Sequence, residues 1–189
     1  MSQPYERNQS DTLSLIAIDD VLLDNVSLSA RSSERKRSML RFHEFADPVQ
    51  RMLNAIEPGT YVQPHRHVNP DKPEVFVALR GRVLVVRFED SGKPTEGLIV
   101  DASGPVRGIE VPPGAWHSFF ALQPGTVLFE VTEGPYDAAT NKEFAPWAPP
   151  EQDTDTSRAY IAGILAHFEH LLPDVAALDQ IEAEENEIC

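Results

Sequence analysis

Cysteine is almost absent from this chain. The one thiol, Cys189, is the last residue. A disulfide within the chain is therefore impossible, and thiolate metal sites of the CxxC kind are excluded. Positive charge is scarce as well: 16 Lys and Arg stand against 30 Asp and Glu, a formal charge of -14. An acidic balance of this size repels nucleic acid and anionic membrane surfaces in bulk, so neither is expected as a partner. No stretch approaches the roughly 18 apolar residues of a membrane-spanning helix. The opening run Met1-Ser-Gln-Pro-Tyr-Glu6 lacks the basic and apolar pattern of a secretory signal, and the expected location is the cytoplasm. Neither a GxSxG elbow nor a glycine-rich phosphate loop is found. Internal repeats are missing too.

What is present suits one globular unit. A chain of 189 residues falls in the size range of a single domain and is long enough to bury a core without covalent staples. Residues 1–12 are polar. Residues 13–30 read as helix, with Asp19 and Asp20 as caps and Leu22, Leu23, Val26 and Ala30 as an apolar stripe. A basic run follows at Arg31, Arg35, Lys36, Arg37 and Arg41. It reads first as a solvated surface that balances nearby carboxylates. The sharper reading turns one or two of these arginines towards a phosphate or carboxylate ligand.

From about residue 40 to 132 the apolar period becomes two. Val75–Arg80 and Val83–Phe88 are the strongest strands, and Leu98–Val100, Gly108–Val111, Trp116–Leu122 and Thr126–Val131 follow, punctuated by Gly81, Asp90–Pro94 and Gln123–Gly125. Short strands without alternating helices imply an all-β sandwich or barrel. Trp147 and Phe144 are expected to clamp on its wall. Ile161, Ile164, Leu165, Phe168, Leu171 and Leu172 then recur at helical spacing over residues 157–172, and this face is expected to pack on the β-unit or on a second subunit in a homodimer.

Six histidines carry the chemistry. His65 and His67 flank Arg66, and in an extended segment residues i and i+2 point to the same side. His117 sits in a second strand that a barrel can bring opposite the pair. Imidazoles joined by a carboxylate suit divalent iron, zinc, nickel or manganese. Glu74, at the start of the next strand, is the natural fourth donor. His43 reads as a hydrogen-bonded histidine near the barrel mouth, with a role as an extra ligand or an acid/base group as the alternative. Tyr61 shares parity with His65 and His67 and is the other catalytic candidate. Phe119 shares parity with His117 and is expected to form an apolar wall. His167 and His170 are expected to be solvated.

Gly59, His65-Arg66-His67, Glu74 and Gly81 resemble the first cupin motif, and Pro112-Pro-Gly-Ala-Trp-His117 resembles the second. Asp47–Asn54, Glu57–His67, Asp71–Phe76, Val127–Tyr136 and Lys142–Trp147 together resemble the WbuC-type cupin-fold metalloproteins. The resemblance implies a double-stranded β-helix, a jelly-roll barrel, with one divalent metal held by three histidines and a glutamate. It divides the chain into a tail and helical arm (1–36), a cupin barrel (37–150), and a C-terminal amphipathic helix with an acidic tail (151–189). It also implies an association with bacterial surface polysaccharide. Two departures stand out: the connection Val68–Pro73 is longer than the motif's usual spacing, and Ala121 stands where asparagine is usual.

Three functions fit this reading. The first is Lewis-acid isomerase-type chemistry on a sugar or sugar-nucleotide. The second is an Fe(II)-dependent dioxygenase. The third is a non-catalytic metal-dependent protein that binds a carbohydrate or an anionic small molecule. An acid/base side chain beside the metal favours an enzyme; a pocket of metal ligands and aromatic walls alone favours a binder.

Overall fold

The computed structural model describes residues 3–4, 15–139 and 141–172. The polar residues 1–12 fall largely outside these residues, and the acidic tail from Asp179 falls wholly outside them.

Helix α1 (Asp20–Arg31) starts where Asp19 accepts the Leu22 N–H at 3.0 Å, which satisfies one of the unpaired donors of the first turn. Strands β1 (Gln3–Pro4), β2 (Arg37–Arg41), β3 (Val49–Ile56), β4 (His65–Arg66), β5 (Glu74–Arg80) and β6 (Arg82–Phe88) come next in chain order around it. Strands β7 (Pro94–Asp101), β8 (Gly108–Val111), β9 (Trp116–Ala121), β10 (Thr126–Glu133) and β11 (Glu143–Phe144) complete the β-unit, before helix α2 (Thr154–His167) and a short 3-10 turn at Glu169–Leu171. Asp153 caps α2, which therefore begins slightly earlier than the apolar spacing predicts.

The strands form two sheets, one ordered β1-β2-β3-β10-β5-β8 and the other β11-β4-β9-β6-β7. The expected closed jelly-roll barrel is not what forms. The two sheets face each other, and among the described residues no β-ladder joins their edges. Proline explains part of this, because it supplies no N–H to a ladder. Pro64 precedes the two-residue β4, and Pro112–Pro113 follows the four-residue β8. Closure depends on such short strands, whereas side-chain parity is the same in a sandwich and a barrel.

Packing occurs in three layers. Leu23, Val26 and Ala30 of α1 cover Leu53, Ala55 and Val127 on the outer face of the six-stranded sheet. Phe76, Val83, Val85, Phe119 and Leu128 fill the space between the sheets. Ile161, Ile164 and Phe168 of the C-terminal segment cover Leu84, Val86 and Phe120 behind the five-stranded sheet. Both faces of β6 are thus buried, which is why Val83–Val86 reads as an unbroken apolar run. Gly81 turns the chain from β5 into β6, and so from one sheet to the other, at a φ of +71°, a region that glycine enters without steric cost.

Leu53 is fully buried beneath α1. Leu53→Ala is expected to lower stability by about 2–5 kcal/mol, the range for a large-to-small change in a packed core. Urea unfolding checks it; a loss under ~1 kcal/mol contradicts this packing.

Candidate metal centre

Each donor arrives by a simple route. His117 lies on β9 with Phe119 and Ala121, whose side chains face between the sheets. His65 on β4 is registered directly against His117. His67 lies two residues on, and the connection Val68–Pro73, tied by a bridge between Val68 and Asp71, brings the chain back to Glu74 at the head of β5. The longer connection does not displace the glutamate. One ligand atom from each of His65, His67, Glu74 and His117 lies within 4.8 Å of the others. Three donors come from the five-stranded sheet and its continuation, and Glu74 from the other. Among the described residues, then, the cluster joins two sheets that no ladder joins.

The hydrogen bonds fix the protons. His65 Nδ1 lies 3.0 Å from the Gln63 carbonyl and His117 Nδ1 3.0 Å from the Ala115 carbonyl, while His67 Nδ1 meets the Asn141 carbonyl. A carbonyl only accepts, so each Nδ1 carries a hydrogen, and each Nε2 is left to face the cluster. His67 Nε2 and His117 Nε2 lie 3.0 and 2.8 Å from the Glu74 oxygens. Yet both nitrogens and Glu74 Oε2 are buried without a hydrogen-bond partner of acceptable geometry. These atoms aim at a shared centre rather than at one another. Buried acceptors of this kind are costly unless a cation joins them, and imidazoles anchored through Nδ1 are the usual form of metal-ligating histidine. The residues therefore fit a divalent first-row ion.

The electrostatics agree. Burial holds the His65 imidazole well below its ordinary value, and the charge of Lys142 pushes it further down. Burial raises the Glu74 carboxyl, but positive charge before it, from the His117 and His67 rings when they carry a proton on Nε2 and from Lys142, outweighs this and holds it well below the usual carboxylate range. Lys142 donates to His65 Nε2 at 3.0 Å.

A further carboxyl escaped the sequence reading. Glu130 on β10 is buried beside Glu74 and shares a hydrogen bond with it, while Asn54 donates to its other side at 2.5 Å. Burial pushes Glu130 up to about 8, the Glu74 charge adds to the rise, and Lys142 opposes it. At neutral pH Glu130 is therefore mainly a carboxylic acid. Parity contained the signal: Glu130 alternates with Val127, Phe129 and Val131, a lone acid at the inward positions of an apolar strand.

The cluster opens into a cavity of about 1170 Å3 lined by Glu130, Lys142, Arg41, His43, Phe76 and Phe119, among others. Phe119 forms the expected apolar wall. His43 stands at this cavity and is hydrogen-bonded, as expected. Its Nδ1 lies 2.7 Å from the Arg51 carbonyl and 2.8 Å from the Arg51 N–H, so the backbone of Arg51 fixes the ring. Burial keeps this ring below its ordinary value. Tyr61 is placed elsewhere: it packs with Tyr160 behind the five-stranded sheet, and its hydroxyl donates to the Pro149 carbonyl at 2.8 Å. Pro64 breaks the alternation that would have aligned Tyr61 with His65. Trp147 packs on Phe88 and Trp116 as a clamp, but Phe144 is half exposed, its ring 6.2 Å from that of His65.

Glu74→Gln removes the anionic donor with little change of shape. Metal affinity is expected to fall by more than ~100-fold, beyond the ~10–100-fold cost of losing a residue that only supports a ligand. Competition against a chelating dye measures it, and unchanged affinity removes Glu74 from the donor set.

Comparison with known proteins gives a likeness in fold. A family model described as "Domain of unknown function (DUF6016)" matches residues 18–100. No curated protein matches. The capsular polysaccharide assembling protein CapF from Staphylococcus aureus is similar at 18% identity and a TM-score of 0.50, over 71% of this chain and 33% of that one. The chain thus spans about a third of the length of the CapF structures it matches. TT1209 from Thermus thermophilus is 22% identical with a TM-score of 0.44, over 62% of this chain and 97% of that one. KdgF from Halomonas sp. is 14% identical with a TM-score of 0.43, over 55% and 83%. The likeness is in fold: two facing sheets, with a cluster of three histidines and one glutamate among the described residues that could hold a metal ion. Among the described residues no helix is long and apolar enough to cross a membrane.

Proposed function

We propose that this chain is a divalent-metal enzyme that moves a proton on a sugar or sugar-nucleotide, in isomerase-type chemistry. The observation that carries the reading is Glu130, a carboxyl held beside the donor cluster, facing the cavity and joined by a hydrogen bond to Glu74. A protein that only bound a ligand through its metal has no need of a second buried carboxyl there, and burying one costs stability.

A divalent ion in this site supplies Lewis acidity, polarising a carbonyl or hydroxyl oxygen. The remaining work falls to the chain. His65, His67, His117 and Glu74 hold the ion. Glu130 exchanges protons with the substrate: as a carboxylate it takes the C–H proton from the hydroxyl-bearing carbon beside the carbonyl, and as an acid it returns that proton to the former carbonyl carbon, while the hydroxyl proton passes to the former carbonyl oxygen. Burial and the neighbouring Glu74 charge raise this carboxyl above the ordinary range, towards the neutral pH at which an acid/base group works best. Lys142, whose amine lies 3.0 Å from His65 Nε2, adds positive charge beside the site. Phe76 and Phe119 keep water from the reacting carbons.

The test is proton exchange. Metal-loaded protein is incubated in D2O with a panel of aldoses, ketoses and sugar-nucleotides and followed by NMR. Deuterium appearing on the carbon beside the carbonyl, with isomer formed, is the expected result. Substrate-dependent oxygen uptake without exchange would select a dioxygenase, and saturable binding with neither would select a binding protein; both overturn the proposal.

A further inference from the structure

A row of uncharged polar side chains leads away from the metal centre. Thr132 on β10 pairs with Glu74 on one side and with Gln50 on the other. Directly paired residues share one face of a sheet, so Thr132 and Gln50 face the cavity as Glu74 does, and both line it. Two strand spacings, about 10 Å, separate the Glu74 and Gln50 backbones. His43 carries the row past β3: it lines the cavity, and its ring is held by the backbone of Arg51, the residue after Gln50.

Each member keeps a polar atom for a ligand. Gln50 is 3% exposed. Its Nε2 donates to the Asp47 carbonyl at 2.9 Å, with the Phe45 and Glu44 carbonyls at 3.4 and 3.5 Å. Three carbonyls around one atom identify it as the amide nitrogen, and Oε1 then meets no donor among the described residues. The Thr132 hydroxyl gives its hydrogen to the Pro73 carbonyl at 2.8 Å, so towards the cavity its oxygen accepts. His43 is 5% exposed. Its Nδ1 is committed to Arg51, and Nε2 has no partner among the described residues. Burial keeps this ring below its ordinary value, so all three groups are uncharged at neutral pH.

A hydroxyl both donates and accepts, so it matches an amide oxygen, a hydroxyl oxygen and either tautomer of a neutral imidazole. An ionised carboxylate or phosphate only accepts, and gains nothing from Gln50 Oε1 or Thr132 Oγ1. We propose that Thr132, Gln50 and His43 bind hydroxyls along the chain of an uncharged, open-chain sugar whose carbonyl end reaches the metal. This rests on the metal-enzyme reading above and narrows its substrate to a free sugar, without phosphate or nucleotide. The open-chain form is the one that isomerisation needs, since it carries the free carbonyl.

Calorimetry on metal-loaded protein tests it with three probes: sorbitol, sorbitol 6-phosphate, and acetohydroxamic acid, which chelates a metal but offers no hydroxyl chain. His43→Asn keeps a polar atom for the Arg51 backbone and deletes Nε2, and Thr132→Val deletes the hydroxyl at constant shape. Each is expected to weaken sorbitol binding about 3–10-fold, the effect of one hydrogen bond, and the two together at least about 10-fold. Acetohydroxamic acid should bind every variant as it binds wild type, and Thr132→Ser should keep wild-type affinity for sorbitol. Metal content and thermal unfolding are read first on every variant, and if the double variant fails to fold, the single variants carry the comparison. Equal sorbitol affinity in wild type and a folded, metal-loaded variant overturns the inference alone, as does the absence of sorbitol binding by wild type. Sorbitol 6-phosphate binding roughly 10-fold tighter than sorbitol, the mark of charge-assisted contacts, also overturns it. Sorbitol binding as expected, with no proton exchange on any sugar, overturns the function proposed above instead.

Discussion

Alanine at both His65 and His117 leaves the protein without its metal. Elemental analysis of this double variant should find less than ~0.1 ion per chain, because two of the four converging donors are gone and divalent affinity depends on donor number and type. The same change should alter how the metal affects stability. In the wild type the donors come from both sheets, so an ion there links layers that no β-ladder links among the described residues. An ion that binds only the folded state stabilises it by about 2.7 kcal/mol at a free concentration of roughly 100 Kd. Thermal unfolding of the wild type should therefore rise with added metal and fall with chelator, and that of the variant should do neither. Stoichiometric metal in the double variant would remove these histidines from the site.

Glu130→Gln is expected to lower turnover by ~10²–10⁴-fold, the usual contribution of a positioned acid/base group, while metal stoichiometry stays at the wild-type level. Glutamine keeps the size of the side chain and can still hydrogen-bond to Asn54 and Glu74, but it cannot give and take a proton. A merely structural Glu130 would show the opposite pattern: a lower unfolding midpoint with turnover per folded molecule unchanged. Solvent deuterium exchange separates the two directly, since the variant should bind substrate and fail to exchange its C–H proton.

Much of the metal cluster was legible before the fold, for a local reason. His65 and His67 lie two residues apart in extended chain, and their common direction follows from strand geometry alone. His117 required the assumption that two strands meet, and its register against His65 satisfies it. Glu74 required the connection Val68–Pro73 to return, which depends on the turn at Val68–Asp71 rather than on the spacing of motif residues. Barrel closure was not legible, because it is decided by strands only two to four residues long beside prolines. Tyr61 was misplaced by the same residue type: Pro64 lies between it and His65 and interrupts the alternation that parity assumes.

The missed groups have physical explanations too. Glu130 is a single acid in a strand that reads as apolar, and its proximity to Glu74 arises across the β5–β10 pairing, a contact distant in sequence. Lys142 reaches His65 from beside β11. Arg41 belonged to a run that read as surface charge, and strand pairing turned it inward.

Elemental analysis of the wild-type protein, purified anaerobically from metal-replete cells without an affinity tag that binds metal, tests the central claim most directly. About one divalent first-row ion per chain, removable by chelator and restored on dialysis, is the predicted result. A folded protein with less than ~0.1 ion per chain, which takes up none when divalent salts are added, would contradict it.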